Sequence, residues 1–319
     1  MPPAPGPATR RGQWLGVLVL IGYLLTAPKA FVMGPLAILL LLSRPRTGRE
    51  WFWIGLSIVA AVVTLRLPVT LTGRTIRAAG AFFTGAFVIV TLWGVRSLFT
   101  RTLIATSAAA AITIGWFVAL GLRWSTLKSS FVSDYWAAWH AVSPTLPERP
   151  PLAGEGAVNG VSSTAMQMVS ALRDASDLLP AVLAIMAMAG GYLAWSWYWR
   201  LASLPIGARP KPFRELRFND HLVWVLILSA GGVLLLPRAG APGLVAGNLL
   251  LFMLTLYAVR GLAIVQTSLR PAPIPFVVLL SVTAILLLPL AVVPCVLVGT
   301  ADTWFDFRRR MAPPEGATR

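Results

Sequence analysis

The sequence predicts an all-α protein, a polytopic transmembrane helix bundle of about 8–10 membrane segments with broken helices at both ends. Three observations carry that reading. Of 319 residues, 57% are hydrophobic and only 12% are charged, against about 25% charged in soluble proteins. The apolar residues gather in runs near the length of about 20 residues that crosses a bilayer. The basic excess, a net charge of +16, sits in short loops between those runs, as the positive-inside rule requires. The expected partner is therefore the lipid bilayer and not nucleic acid. The single cysteine, Cys295, excludes an intrachain disulfide and a cysteine-rich metal site.

In chain order, residues 1–13 (MPPAPGPATRRGQ) form a Pro-rich basic tail, expected to be disordered. A basic pair before an apolar run also marks secretory signals. Here, however, the apolar pattern resumes after Pro28-Lys29, so 14–122 reads as a set of N-terminal transmembrane helices. The block 14–43 is too long for one straight span and short for two, and a break at Pro28 is expected. Clearer spans follow near 51–67, 79–98 and 102–122.

Residues 123–178 are expected to be an extramembrane insert. It opens with the aromatic stretch FVSDYWAAWH (131–140) and passes through a Pro/Gly linker. It closes with an amphipathic helix over 162–178, where Ala165, Met168, Leu172, Ala175 and Leu179 recur at three- and four-residue steps. The C-terminal transmembrane helices occupy 179–300, with spans near 178–200, 221–237, 244–269 and a last block, 276–299, interrupted by Pro289 and Pro294. The basic loop 201–220 joins the first two, Asn219 or Asp220 is a candidate helix cap, and 301–319 is a polar tail.

Charge counting sets the topology. If both end blocks are hairpins of short helices, 18 of the 27 Lys and Arg residues fall inside, and both termini are cytoplasmic. If the last block crosses once, the inside count drops to 14 of the 27. Short broken helices at membrane depth need protein or a wet cavity over their free backbone groups, so both ends are candidate cavity linings. The alternative is that Pro289 and Pro294 merely kink one long span.

No catalytic signature stands out. There is no Gly-rich phosphate loop and no H-E-x-x-H, and the two histidines, His140 and His221, lie far apart. No catalytic residue, metal site or cofactor is expected, and the chain does not read as an enzyme. Asn248 and Gln266, the amides of the 244–269 span, and Arg260 near its end are candidate substrate contacts, and the amides are alternatively helix–helix contacts. Trp136 and Trp139 could close over a ligand as part of an aromatic lid, or form an interfacial belt. Arg214, Glu215 and Arg217 in the joint, with Asp302, Trp304, Asp306 and Arg308 in the tail, are candidate partner-docking residues. The spacing of Asp302 and Asp306 puts both carboxylates on one helix face, as a cationic-ligand site or an interfacial anchor. Gly243-x-x-x-Gly247 and Ala187-x-x-x-Gly191 permit close helix packing.

Three stretches, LLPAVLAIMAMAGGYLAW (178–195), PFRELRFNDHLVW (212–224) and GTADTWFDFRRR (299–310), together resemble the YybS-like family of bacterial multi-spanning membrane proteins. Where the family pattern has a neutral residue before the glycine of the Asn-bearing span, this chain has Arg260. The N-terminal half is similar in hydropathy to the S components of energy-coupling-factor transporters. That resemblance implies a small-molecule substrate-capture subunit of the bacterial inner membrane, drawing on an energising protein partner. The alternative is a non-enzymatic membrane scaffold that docks a cytoplasmic partner through loop 201–220 and the C-terminal tail.

Overall fold

The computed structural model describes residues 20–24, 27–66, 69–95, 97–144, 148–150, 163–237, 240–269 and 288–307. Every regular element among them is helical, and the chain forms two compact units, residues 1–210 and 211–319. The first unit contains α1 (Ala30–Leu42), α2 (Gly48–Arg66), α3 (Leu71–Leu92), α4 (Leu98–Ala119), α5 (Trp124–Val142), α6 (Ser163–Asp177) and α7 (Leu179–Leu201). The second contains a 3-10 turn (Phe213–Glu215), α8 (Leu222–Leu235), α9 (Ala241–Ser268) and α10 (Leu288–Phe305). Among the described residues, α2, α3, α4, α7 and α9 are long and apolar enough to cross a membrane, and three shorter apolar helices accompany them. The protein is a multi-pass membrane protein. Exposed side chains say the same: Trp51, Phe52, Ile58, Val59, Val62 and Val63 of α2 face outward, a surface that lipid covers and water would not tolerate.

The core of the first unit is built around α1. α1 begins two residues after Pro28, where the proline predicts a break, and it is apolar all round, the mark of a buried helix. Phe31, Val32, Leu36, Leu39 and Leu40 are almost fully enclosed, with α2, α3 and α7 packed around them. Pro35 cannot donate to the Phe31 carbonyl one turn back. That carbonyl faces Gly190 of α7, where an added Cβ would stand 2.9 Å from it. Gly191 lies equally close to Phe83 and Thr102, and Ala187 is buried, so the Ala187-x-x-x-Gly191 stripe lies within this packing. The Gly243-x-x-x-Gly247 stripe is not used in that way: Gly247 faces open space.

Helix ends depart from the expected spans where local capping decides them. The second clear span begins at Leu71 and not near 79, because the Thr70 hydroxyl accepts from the Gly73 N–H at 3.2 Å. It ends at Leu92, where Gly94 takes a positive φ of 79°. Ser97 caps α4 in the same way. In the expected insert, α5 and α6 pack on one another. Trp124 and Lys128 both donate to Asp177, and Ser130 meets Thr72 at 3.1 Å, which ties α5 to the start of α3. Trp136 is fully buried with Ala165, Val169 and Leu172, and Trp139 packs against the same cluster. Trp136 is therefore core between α5 and α6 and is not presented to a ligand as a lid face.

At the other end of this unit, Glu50 is 1% exposed and accepts five hydrogen bonds. One carboxylate oxygen takes the Arg46 and Thr47 N–H groups and the Thr47 hydroxyl, and the other takes the Ser203 N–H and hydroxyl. Beside it, Arg49 donates to the Arg200 and Leu201 carbonyls that end α7. Arg101 lies over the Trp195 ring at 4.1 Å and donates to the Val95 carbonyl. These contacts bring the starts of α2 and α4 to the end of α7.

Two stability predictions follow from this packing. Glu50→Gln keeps the shape but aims an amide NH2 at donors in either orientation, so thermal unfolding of the detergent-purified protein is expected to shift down by the equivalent of about 2 kcal/mol. Gly190→Ala, whose new methyl meets the Phe31 backbone, is expected to cost about 1–3 kcal/mol in the same assay. Gly115→Ala, which meets nothing within 4 Å, should leave the midpoint unchanged or slightly raised.

Candidate functional site

The second unit brings its charged side chains together through an unusually close helix contact. A Cβ at Gly261 of α9 would overlap the Cys295 carbonyl, and one at Gly299 of α10 would overlap the Tyr257 carbonyl. Only glycine at both positions lets the two backbones touch. One position before Gly261 is Arg260, and one helical turn beyond Gly299 is Asp302. The close contact therefore sets these two opposite each other. Both are buried, at 4% and 2% exposure, and Arg260 Nε and Nη2 each lie 3.0 Å from Asp302 Oδ2.

The end of α10 completes the floor. The final stretch runs on as helix through residues 301–305, so Asp302 belongs to the last turn of α10 and not to a polar tail. Asp306 then adopts a positive φ of 40°, and the Phe307 N–H turns back to Asp302 Oδ1 at 3.1 Å. A carboxylate near a helix C-terminus is unfavourable against the helix dipole, and the Arg260 guanidinium offsets it. Residues 270–287, on which the expected hairpin depends, lie outside the described residues.

The joint supplies the remaining wall. Asp220 does not cap α8: His221 precedes that helix, and Asn219 Oδ1 accepts from its N–H. Asp220 instead places Oδ1 2.8 Å from Arg260 Nη1, with its side chain 61% exposed. Phe218 lies under the guanidinium at 5.2 Å and meets Tyr257 edge-on at 5.3 Å. At the rim, Arg217 Nη2 and Asp306 Oδ1 pair at 2.6 Å. Arg217, Phe218, Asp220, Arg260, Asp302, Thr303 and Asp306 enclose a cavity of about 260 Å³.

Arg260, expected among the substrate contacts, and Arg217, Asp302 and Asp306, expected among the docking residues, thus line one cavity. The other expected residues lie elsewhere. Asn248 donates to the Leu244 carbonyl of its own helix, about 18 Å along the axis from Arg260. Gln266 is exposed. Arg214 and Glu215 form an exposed 4.0 Å pair in the 3-10 turn, and Trp304 is 65% exposed. Arg308 lies outside the described residues. Trp136 and Trp139 belong to the first unit. Phe218 and Thr303 escaped the sequence reading, and Asp220 was read there as a helix cap. A charged residue near the end of a span, with spare acids in both flanking loops, is the signal that could have found Asp220.

The cavity lining is polar and mostly charged. Its buried carboxylate is engaged by a guanidinium and a backbone N–H, and the described lining contains neither histidine nor cysteine. Among the described residues, no cluster of side chains has the make-up of a metal site. Compared with known proteins, the chain matches no protein-family model, no curated protein and no solved structure.

Removing one member of the buried pair leaves an uncompensated charge. Arg260→Met is expected to destabilise the protein by about 3–5 kcal/mol, read as a lowered thermal midpoint. The double variant Arg260→Met/Asp302→Leu should recover most of that loss, because two apolar residues replace the pair together.

Proposed function

We propose that this protein is a small-molecule substrate-capture subunit of a membrane transport system, with the Arg260 cavity as its binding site. The observation that carries the reading is a cavity of about 260 Å³ with the Arg260–Asp302 ion pair at its floor and exposed charges of both signs at its rim. Ligand pockets commonly run from about 300 Å³ upward, so a small metabolite is the natural occupant. Among the described residues no nucleophile–base pair lines the cavity, which favours binding over catalysis. An energising partner protein then drives release, as the similarity in hydropathy to energy-coupling-factor S components implies.

The membrane is the bacterial inner membrane, with cytoplasmic termini. In support, Arg44, Arg46, Arg49, Arg101 and Arg200 gather where α2 and α4 begin and α7 ends. That is the clustering expected of a cytoplasmic face. A second reading, a scaffold for a cytoplasmic partner, is favoured by one observation: Trp304 and the Arg214–Glu215 pair are exposed in the second unit, outside the cavity. Arg214→Gln with Trp304→Ala would then abolish co-purification of that partner and leave ligand retention intact.

Native mass spectrometry of the protein gently extracted from its own membrane tests the capture reading. A retained small molecule is expected, and Asp306→Asn should lower its occupancy at least about tenfold while the thermal midpoint stays put. Retention that ignores Asp306→Asn, or no retained small molecule at all, overturns it.

A further inference from the structure

Hydrogen-bond accounting around the cavity shows which valences are left for a ligand. Asp302 is saturated: one oxygen faces Arg260 and the other takes the Phe307 N–H. It is buried at 2% exposure and belongs to the floor. The rim is different. Asp220 uses only Oδ1, toward Arg260, and Asp306 uses only Oδ1, toward Arg217. Among the described residues, no donor reaches their Oδ2 atoms. Among the described residues Arg217 in turn uses only Nη2, which leaves its Nε and Nη1 donors uncommitted there. All three side chains are well exposed, and all three line the same cavity. The rim thus presents unpaired carboxylate oxygens and unpaired guanidinium donors together, above a Phe218 ring and the Thr303 hydroxyl.

A ligand with a single charge would use half of this. A simple amine would satisfy the two Oδ2 atoms and leave the Arg217 donors facing nothing but solvent. A simple carboxylate would take Arg217 and press against Asp220 and Asp306. A molecule with both groups on one carbon engages both signs, and each contact is a charge-assisted hydrogen bond in a partly enclosed site. The volume of about 260 Å³ admits a compact molecule and no peptide or lipid tail.

We propose that the cavity binds a small zwitterion of the α-amino-acid class, its ammonium held by Asp220 and Asp306 and its carboxylate by Arg217. The inference rests on the capture reading and names its substrate class. The Arg260–Asp302 pair does not touch the ligand. It is a positioning pair that holds Asp220 and the turn at Asp306 in place.

The test uses the full chain in lipid nanodiscs of uncharged phosphatidylcholine, incubated with an equimolar mixture of the proteinogenic L-amino acids and read by native mass spectrometry. One or a few amino acids are expected to be retained. For the tightest of them, equilibrium dialysis compares three probes: the amino acid, its decarboxylated amine and its deaminated acid. Both truncated probes should bind at least about tenfold more weakly, and so should the intact amino acid to Asp220→Asn or Arg217→Gln. Arg66→Gln, at the end of α2 and in the other unit, should bind as the parent does. An amine or acid that binds as tightly as the amino acid overturns the proposal, as does binding that ignores Asp220→Asn. If no amino acid is retained but an unrelated metabolite from a cell extract is, and Asp306→Asn removes it, the zwitterion proposal falls and the capture reading stands. If nothing loads the cavity from either source, both fall.

Discussion

The buried pair of Arg260 and Asp302 is the interaction on which the second unit depends. A charge near an apolar span is costly by itself, about 2.5–3.5 kcal/mol at the centre of a span on the insertion scale. Here each member removes the penalty of the other, and the leftover valences go to Asp220 and the Phe307 N–H. The pair forms only because α9 and α10 touch backbone to backbone at Gly261 and Gly299. The glycines, the ion pair and the reversal at Asp306 are thus one device. The cavity is its consequence, since the same guanidinium that neutralises Asp302 holds the joint against the helix ends.

The first unit solves the same problem with a different acid. Among the described residues Glu50 meets no cation in direct contact and is satisfied by three backbone N–H groups and two hydroxyls. It draws the turn before α2 and the strap after α7 to one point. Arg49 satisfies the α7 carbonyls alongside it, so one end of the unit is tied by two neighbouring side chains of opposite charge. Glu50 is the only acidic residue before Asp134, a signal present in the sequence and easy to overlook among so many arginines. A lone acid in a basic, apolar stretch is costly unless something in the fold requires it.

The legible part of the site was its residue types. Arg260, Asp302, Asp306 and Arg217 each stand out as charges beside apolar runs, and the spacing of the two aspartates predicts a shared face. Their convergence was not legible, because Arg217, Arg260 and Asp302 are about forty residues apart from one to the next. Asp220 looked like a helix cap because Asp before an apolar helix usually is one. A buried guanidinium outbids an N–H at the helix start, and that competition is invisible in one dimension. Trp136 misled for a related reason: an aromatic in an insert is equally suited to a lid, a belt or a core, and only the packing of α5 on α6 distinguishes them.

By itself the sequence determined the helical class, the membrane as solvent, the break at Pro28 and the rough position of the spans. Those properties follow from local composition and chain geometry, which each stretch carries without reference to the rest. Helix ends were within a few residues where hydropathy alone decides them and further off where a cap such as Thr70 does. The tertiary structure alone decided which small residues bring backbones together, which acid meets which arginine and where a cavity opens. Each of these is a pairing between distant segments, and its energy exists only after the helices have packed.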